Sequence, residues 1–224
     1  MRKALNFIFD LLILISFLQP VHSQQTRIRG LRLGYDISRL ALYYFEPERK
    51  EMNFSADFEI KTHIYSAFEY GMQDVKMNND LYSYQSEGSY FTIGFDKNYL
   101  KNIELNQYEM LYGGIRYGYA RYSHSASDIT IVSDYWGNYT GATVPETKAS
   151  AHWLELVGGI KGELFKNFFV GWSFRARYLL YQSKDNPLDP YHVPGFGSLK
   201  NRTSLGFTYS IYYRIPMYKA TIRE

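Results

Sequence analysis

The sequence predicts an all-β fold, a single antiparallel up-and-down transmembrane β-barrel of eight strands. Eight short runs alternate apolar with polar residues, tyrosine and phenylalanine are abundant, and short connections alternate with longer ones. The last run is the clearest, because Phe207, Tyr209 and Ile211 share one face while Thr208 and Ser210 share the other. A strand with two such different faces separates two environments.

Residues 1–23 have the composition of a cleaved secretory signal peptide. Arg2 and Lys3 provide the positive charge, an apolar stretch follows, and Ser23 offers a small residue for cleavage. The apolar stretch is shorter than the roughly 20 residues that a helical span needs, which disfavours an N-terminal membrane anchor. We therefore expect Sec-type export and a barrel domain over residues 24–224.

The composition suits a β-barrel better than a helical membrane protein. The chain has 23 tyrosines, 18% aromatic residues and a mean hydropathy of −0.35. Tyrosine suits the boundary between lipid and water, where its ring is buried and its hydroxyl stays hydrated. Cysteine is absent, so the chain has neither a disulfide nor a cysteine for lipoprotein acylation. A net charge of +3 indicates no nucleic-acid partner.

The alternation sets the expected order and bounds of the strands. Parity changes in the fifth strand: Tyr108, Met110 and Tyr112 are expected to face outward, and so is Ile115, which predicts a β-bulge across residues 113–114. Residues 217–224 are expected to follow the last strand. The predicted runs are 31–42, 52–60, 64–73, 89–96, 107–122, 150–164, 168–181 and 204–215.

The connections indicate how the barrel is oriented. Those after the second, fourth and sixth strands are shorter, whereas those after the first, third, fifth and seventh are longer and more polar. Short turns face the periplasm and long loops face outward in bacterial barrels, so both termini are expected to be periplasmic. The two longest predicted loops span residues 123–149 and 182–202.

The polar faces carry charges of both signs, which are expected to lie in the lumen. An eight-stranded barrel has an interior that side chains can fill, so these charges should pair and close it. The same groups could instead line a narrow selective pore, or a gated or ligand-holding lumen. The predicted lumen charges are Asp36, Glu69, Arg116, Glu155, Arg175, Arg177 and Arg214.

Three loop aromatics, Tyr135, Trp136 and Tyr139, are the best candidates for binding. Flat rings with polar neighbours stack on sugars or dock against partners, although the same rings could pack this loop onto the barrel rim. A structural or surface-interaction role is therefore the expected function. The alternative classes are a narrow pore and a lipid A-modifying enzyme.

Neither catalysis nor metal binding is expected. His124 has serines on both sides and precedes Asp128, and His152 begins the neighbouring strand, so these residues could meet at the outer rim in a lipid-modifying site. No nucleophile-elbow motif accompanies them, and two histidines without tight spacing make a weak metal site. The sequence thus predicts no enzyme, no metal and no cofactor.

Six stretches of the sequence match a known family: residues 30–36, 45–49, 135–139, 189–191, 194–197 and 209–216. Through them the sequence resembles a domain-of-unknown-function family of predicted outer-membrane β-barrels from Bacteroidota. By pattern alone it is also similar to the small OmpA/OmpX-type barrels. The resemblance implies an outer-membrane location but brings no activity or catalytic residues. It implies as partners outer-membrane lipid and lipopolysaccharide, the barrel-assembly machinery during insertion, and an unidentified extracellular ligand.

A secreted soluble protein is the remaining alternative. It would be a barrel or sandwich whose apolar faces pack inside. That arrangement would have to bury strand after strand of tyrosine and phenylalanine.

Overall fold

The computed structural model is a closed antiparallel barrel of eight strands, with one short helix and a separate two-stranded sheet in the connection before the last strand. The structure describes residues 25–100, 107–131, 135, 137, 139–183, 190–199 and 201–222. The elements are β1 (Gln25–Asp36), α1 (Ser38–Phe45), β2 (Arg49–Lys61), β3 (Ile64–Asn78), β4 (Ser83–Asn98), β5 (Met110–Ile131), β6 (Tyr139–Phe165), β7 (Phe168–Gln182), β8 (His192–Val193), β9 (Gly197–Ser198) and β10 (Thr203–Ile222).

Neighbours in the chain are neighbours in the barrel, and β10 closes it by pairing with both β7 and β1. Phe207 lies opposite Phe174 on one side of β10, and Ile215 lies opposite Leu31 on the other. The predicted all-β, up-and-down, eight-stranded architecture is confirmed. The predicted signal peptide lies outside the described residues.

The wall is apolar outside and polar inside. Side-chain burial alternates along β3, β4 and β7, so that Phe68, Ile93 and Phe174 are exposed while Glu69 and Thr92 are buried. Soluble proteins have the reverse arrangement, with charges outside and large apolar side chains within. The structure therefore disagrees with the soluble alternative, in which the apolar faces pack inside.

An outward row of rings crosses seven strands in continuous register, and we call it the aromatic row. Several neighbouring rings within it pack together: the ring centroids of Tyr35 and Phe54 are 5.2 Å apart, and those of Tyr119 and His152 are 4.8 Å apart. On β2 to β6, the outward residues four positions beyond the row, toward the end of the barrel that carries α1, are charged or polar: Lys50, Asp74, Glu87, Ser123 and Lys148. The aromatic row contains Tyr35, Phe54, Tyr70, Phe91, Tyr119, His152 and Tyr181.

The first strand is shorter than predicted, because a helix replaces its second half. β1 ends at Asp36 and α1 begins at Ser38. The Asp36 carboxylate accepts a 3.0 Å hydrogen bond from the Ser38 backbone N–H and a 3.1 Å bond from Arg39. An aspartate that binds the backbone two residues later favours a turn over a continued strand.

The predicted β-bulge in the fifth strand is wrong. Gly113 and Gly114 pair in unbroken register with both β4 and β6. Tyr108, Met110 and Tyr112 are buried inside the barrel, so the parity of the strand does not change. Tyr108 and Tyr112 fill the lumen beside the buried cations Arg214 and Lys161, and Met110 packs with Tyr112.

Three further expectations about strand ends and connections are wrong because the strands are longer. The predicted tail is mostly strand, since β10 continues to Ile222 and Thr221 lies opposite Thr26. Much of the predicted 123–149 loop is a hairpin, because β5 reaches Ile131 and β6 begins at Tyr139. The connection after β3 is short rather than long, since only residues 79–82 separate it from β4.

Candidate functional site

A chain of ion pairs crosses the middle of the lumen, and we call it the central network. The Glu69 carboxylate on β3 accepts two bonds from Arg175 on β7, at 2.5 and 2.7 Å, and also pairs with Arg116 on β5. Arg116 continues to Asp96 on β4 at 2.8 Å. These charges come from strands on opposite sides of the barrel, so their contacts fill its cross-section.

Glu155 extends the central network toward the end that carries α1. Its carboxylate lies 3.3 Å from the guanidinium of Arg175 and accepts a 2.7 Å hydrogen bond from Arg177, which lies on the same face of β7 as Arg175. The network thus contains three carboxylates and three guanidinium groups, all almost completely buried. A buried charge is tolerated when it is paired and hydrogen-bonded, and here the charges balance.

A second cluster fills the opposite end of the lumen. Asp57 lies between Lys161 at 2.6 Å and Arg32 at 3.3 Å. The Arg214 guanidinium lies 3.4 Å from the centre of the Tyr108 ring, and Arg27 lies 5.0 Å from it. Arg214 is therefore buried against an aromatic ring and lies apart from the central network.

Asp36 also lies apart from the central network and fastens α1 to the barrel. Its partner Arg39 extends to Glu51 on β2 at 2.6 Å, and Glu51 pairs in turn with Arg49 at 2.6 Å. These contacts join the end of β1, the helix and the start of β2. Of the predicted lumen charges, the structure brings together Glu69, Arg116, Glu155, Arg175 and Arg177.

Residues 190–199, which we call the mouth plug, occupy the end of the lumen that carries α1. Val193 and Phe196 are completely buried, and the Phe196 ring packs edge-on to Trp153 with centroids 6.0 Å apart. Gly195 has φ +75°, and a Cβ there would come within 2.5 Å of the Tyr90 ring. Only glycine suits both the left-handed backbone and this close approach.

His192 anchors the mouth plug to the barrel wall. Its Nδ1 lies 2.8 Å from Nε2 of Gln73 on β3. Burial, followed by the positive charge of Arg49, lowers the pKa of His192 to about 3. The imidazole is therefore neutral at physiological pH. Sequence reasoning missed this plug, although the Pro194-Gly195 pair and Gly197 signal a tight turn.

A crevice of about 1100 Å³ opens between α1 and the mouth plug. Phe45, Leu205 and Phe207 line its outer part, and the buried Arg177 and Phe196 also border it. It combines apolar walls with a guanidinium whose charge Glu155 already balances.

Two of the predicted binding aromatics, Tyr135 and Tyr139, lie at the tip of the hairpin formed by β5 and β6. Tyr135 is 84% exposed and Tyr139 is 63% exposed. Trp136 lies outside the described residues. This tip projects beyond the paired region of β6 and β7, whose register begins at Ala151.

The two histidines considered for catalysis lie on opposite faces of the wall. His124 is buried on the lumen side near Tyr84, whereas His152 belongs to the outward aromatic row and its Nδ1 contacts the Tyr117 hydroxyl. They do not meet, so the structure does not form the rim site from both histidines that was the less favoured alternative. Within the described ranges, no group of three or more His, Cys, Asp or Glu side chains is arranged to hold a metal ion. No described helix has the length and hydropathy needed to cross a membrane.

Comparisons with known proteins provide similar structures and a family. The crystal structure of Acinetobacter baumannii CarO2 aligns at 11% identity and a TM-score of 0.43, covering 85% of this chain and 100% of that one. The crystal structure of Ail, the attachment invasion locus protein of Yersinia pestis, aligns at 13% identity and a TM-score of 0.41. The alignment covers 86% of this chain and 99% of that one. No curated protein matches the sequence. The profile of the Domain of unknown function (DUF6048) matches residues 5–220, so the chain belongs to that family.

Proposed function

We propose that this protein is a small outer-membrane β-barrel whose lumen is closed and whose loops meet the environment in a structural or surface-interaction role. The central network carries this proposal. Its charges are buried and mutually paired across the barrel, so they fill the lumen rather than line an open path.

The outer surface supports insertion in a membrane. Large apolar side chains such as Leu156, Phe95 and Phe207 are more than half exposed along the strands. Monomeric soluble proteins rarely expose contiguous apolar patches beyond a few hundred Å². The aromatic row and the charged residues beyond it match the girdles of membrane barrels, where rings lie at the lipid–water boundary.

Export and orientation complete the proposal. Residues 1–23 would direct Sec-type export, and barrel-assembly machinery would insert the chain. The two-residue turns after β2 and β6 suit the periplasmic side, while α1, the mouth plug and the long hairpin suit the extracellular side. Both termini would then be periplasmic. A source within Bacteroidota stays a prediction from the resemblance.

Fractionation with gel mobility tests the barrel in its membrane. We expect the protein in the outer-membrane fraction, with unheated protein migrating differently from boiled protein. A soluble periplasmic protein with no heat-dependent shift would contradict the proposal.

Planar-bilayer recording tests lumen closure. We expect purified wild-type protein to give no stable unitary conductance, because ion pairs and the mouth plug fill the lumen. A reproducible conductance whose ion selectivity changes in Arg177→Gln would instead support the pore alternative.

For the enzyme alternative, we expect the lipid A mass spectrum to be unchanged when the expressed gene is deleted.

The exposed hairpin tip is the proposed interaction surface. We expect Trp136→Ala, combined with Tyr135→Ala and Tyr139→Ala, to abolish binding to an extracellular partner while the heat-dependent gel shift is retained. Retained binding would move the interaction to another surface, of which the crevice beside α1 is the next candidate.

A further inference from the structure

A groove of about 1000 Å³ lies on the outer face of the barrel, and we call it the outer groove. Leu40 and Tyr43 of α1 form one wall, and residues of β5 and β6 line it on the other side. Its floor is the outward face of β2 and β3, where Met52, Tyr70 and Met72 are all exposed. An exposed apolar floor between two walls suits a flexible apolar chain.

The outer groove lies where the outward surface changes from apolar to charged. Tyr70 on its floor belongs to the aromatic row. Lys50 and Asp74, which lie opposite each other, are four residues beyond the aromatic row on β2 and β3. If the barrel spans the outer membrane as proposed above, this position is the level of the lipid headgroups.

Three cations border the outer groove without a protein counter-ion. Among the described residues, no carboxylate lies within ion-pair distance of Lys50, Arg121 or Lys148. Arg121 and Lys148 are exposed on the outward face.

The carboxylates of the groove are mostly engaged elsewhere. Glu51 pairs with Arg39 and Arg49, each at 2.6 Å, and Asp74 lies 3.8 Å from Lys76. Glu87 is the remaining carboxylate of the groove, and the three cations without a counter-ion outnumber it. The uncompensated charge of the outer groove is therefore positive. An anionic group would find complementary charge beside the apolar floor.

The spacing of the cations suits more than one phosphate. Arg121 lies opposite Ser150 and Ser123 lies opposite Lys148, so Arg121 and Lys148 are diagonal neighbours on one face. Such neighbours are about 7–8 Å apart, which allows both to contact one phosphate. Lys50 is on β2, three strand spacings or about 14 Å from β5, where it can meet a second.

We propose that the outer groove binds a phosphorylated glycolipid of the surrounding outer leaflet. One acyl chain lies along Met52, Tyr70 and Met72, one phosphate lies between Arg121 and Lys148, and a second lies near Lys50. This inference rests on the proposed membrane location and adds a specific lipid site to it.

The test measures lipid affinity in zwitterionic detergent micelles, with diphosphorylated lipid A as the probe. The test variant combines Lys50→Gln, Arg121→Gln and Lys148→Gln. A matched control combines Lys97→Gln, Lys166→Gln and Lys219→Gln, which removes the same charge from exposed residues near the opposite end. The heat-dependent gel shift verifies that each protein is folded.

We expect the test variant to bind lipid A at least tenfold more weakly, and the control to bind within twofold of wild type. Dephosphorylated lipid A should bind wild type as weakly as lipid A binds the test variant. Met52→Gln combined with Met72→Gln should weaken binding while leaving all the cations in place.

Several results would overturn the proposal. Equal losses in test and control variants would mean that binding reflects only overall charge. Equal affinity for inorganic phosphate would mean that the apolar floor takes no part. A protein that folds and inserts into the outer membrane, but does not prefer phosphorylated lipid, contradicts this inference alone. Failure to insert contradicts the proposed function as well.

Discussion

The lumen is closed in two different ways along its length. In the middle, strands on opposite sides of the barrel contribute charged side chains such as Glu69 and Arg175, which meet directly. At the end that carries α1, a connection folds inward and places Phe196 against Trp153. The central network is therefore built by the wall itself, whereas the mouth plug is a separate segment docked on it.

This difference separates barrel stability from mouth closure. Loss of the central network affects groups that cannot leave the lumen, so the cost falls on the whole barrel. Loss of a contact in the mouth plug can be relieved when residues 190–199 undock, so the cost is local. The following changes test this distinction, from the largest expected effect on stability to the smallest.

Glu69→Ala is expected to have the largest effect. It leaves Arg116 and Arg175 without their shared carboxylate inside the barrel. Removing one partner of a buried ion pair costs about 3–5 kcal/mol of unfolding free energy. Urea unfolding in micelles measures this loss. The exposed Glu146→Gln is the control, and equal stability of the two variants would show that the network does not stabilise the barrel.

Phe196→Ala should release the mouth plug while the barrel stays folded. Truncating a fully buried phenylalanine costs about 3 kcal/mol, and here the loss reduces the free energy with which the mouth plug docks on the barrel. We expect faster amide hydrogen exchange across residues 190–199 and an unchanged heat-dependent gel shift. Tyr191→Ala, which removes a more exposed ring of the same segment, should leave exchange nearly unchanged. Global unfolding of Phe196→Ala would contradict the separation of the two regions.

Acid should loosen the mouth plug through His192. The docked imidazole faces Arg49, Arg39 and Arg177 with Glu51 as the nearby anion, and burial holds its pKa at about 3. A released imidazole takes up a proton below its ordinary pKa of about 6.5. The equilibrium constant for docking the mouth plug is therefore highest above that pH. It falls as the pH decreases toward 3, by up to about tenfold per pH unit.

Hydrogen exchange of residues 190–199 between pH 7 and pH 4 measures this dependence after correction for intrinsic rates. His192→Asn should remove most of it. An identical pH profile in wild type and His192→Asn would assign the effect to another group.

Tyr139→Ala should have the smallest effect on stability. The ring is largely exposed at the hairpin tip, and substitutions at such positions change unfolding free energy by about 0.5 kcal/mol or less. Urea unfolding checks this value. A loss above about 1 kcal/mol of unfolding free energy exceeds what exposed positions usually show, and would mean that the tip packs on the barrel.

Much of the wall could be predicted from the sequence because a strand repeats every two residues. This periodicity indicates that Arg175 and Arg177 share a face opposite Phe174, whatever the neighbouring strands are. It does not indicate that Arg175 meets Glu69, 106 residues away, because that contact depends on the stagger of all the strands between them.

Tyrosine was the main source of error, for a physical reason. Its ring and hydroxyl suit the lipid boundary, as at Tyr70, and equally suit a lumen filled with cations, as at Tyr112 beside Lys161. Only the alternation of inward and outward residues along the strand could decide between these two environments. An outward position for Tyr108 and Tyr112 requires a bulge that the structure lacks. The mouth plug was missed because its position depends on contacts made after the barrel forms.

The pairing of Glu69 with Arg175 also has a consequence for how the protein enters a bilayer. The two residues lie on β3 and β7, with three strands between them on one side and three on the other. The hairpin of β3 and β4 carries Glu69 and Asp96 but no cation of the central network, so it cannot neutralise these charges within hydrocarbon. Hairpins therefore cannot enter one at a time at low cost, and we expect the sheet to curl, bring the two sides together and cross the membrane in one concerted step.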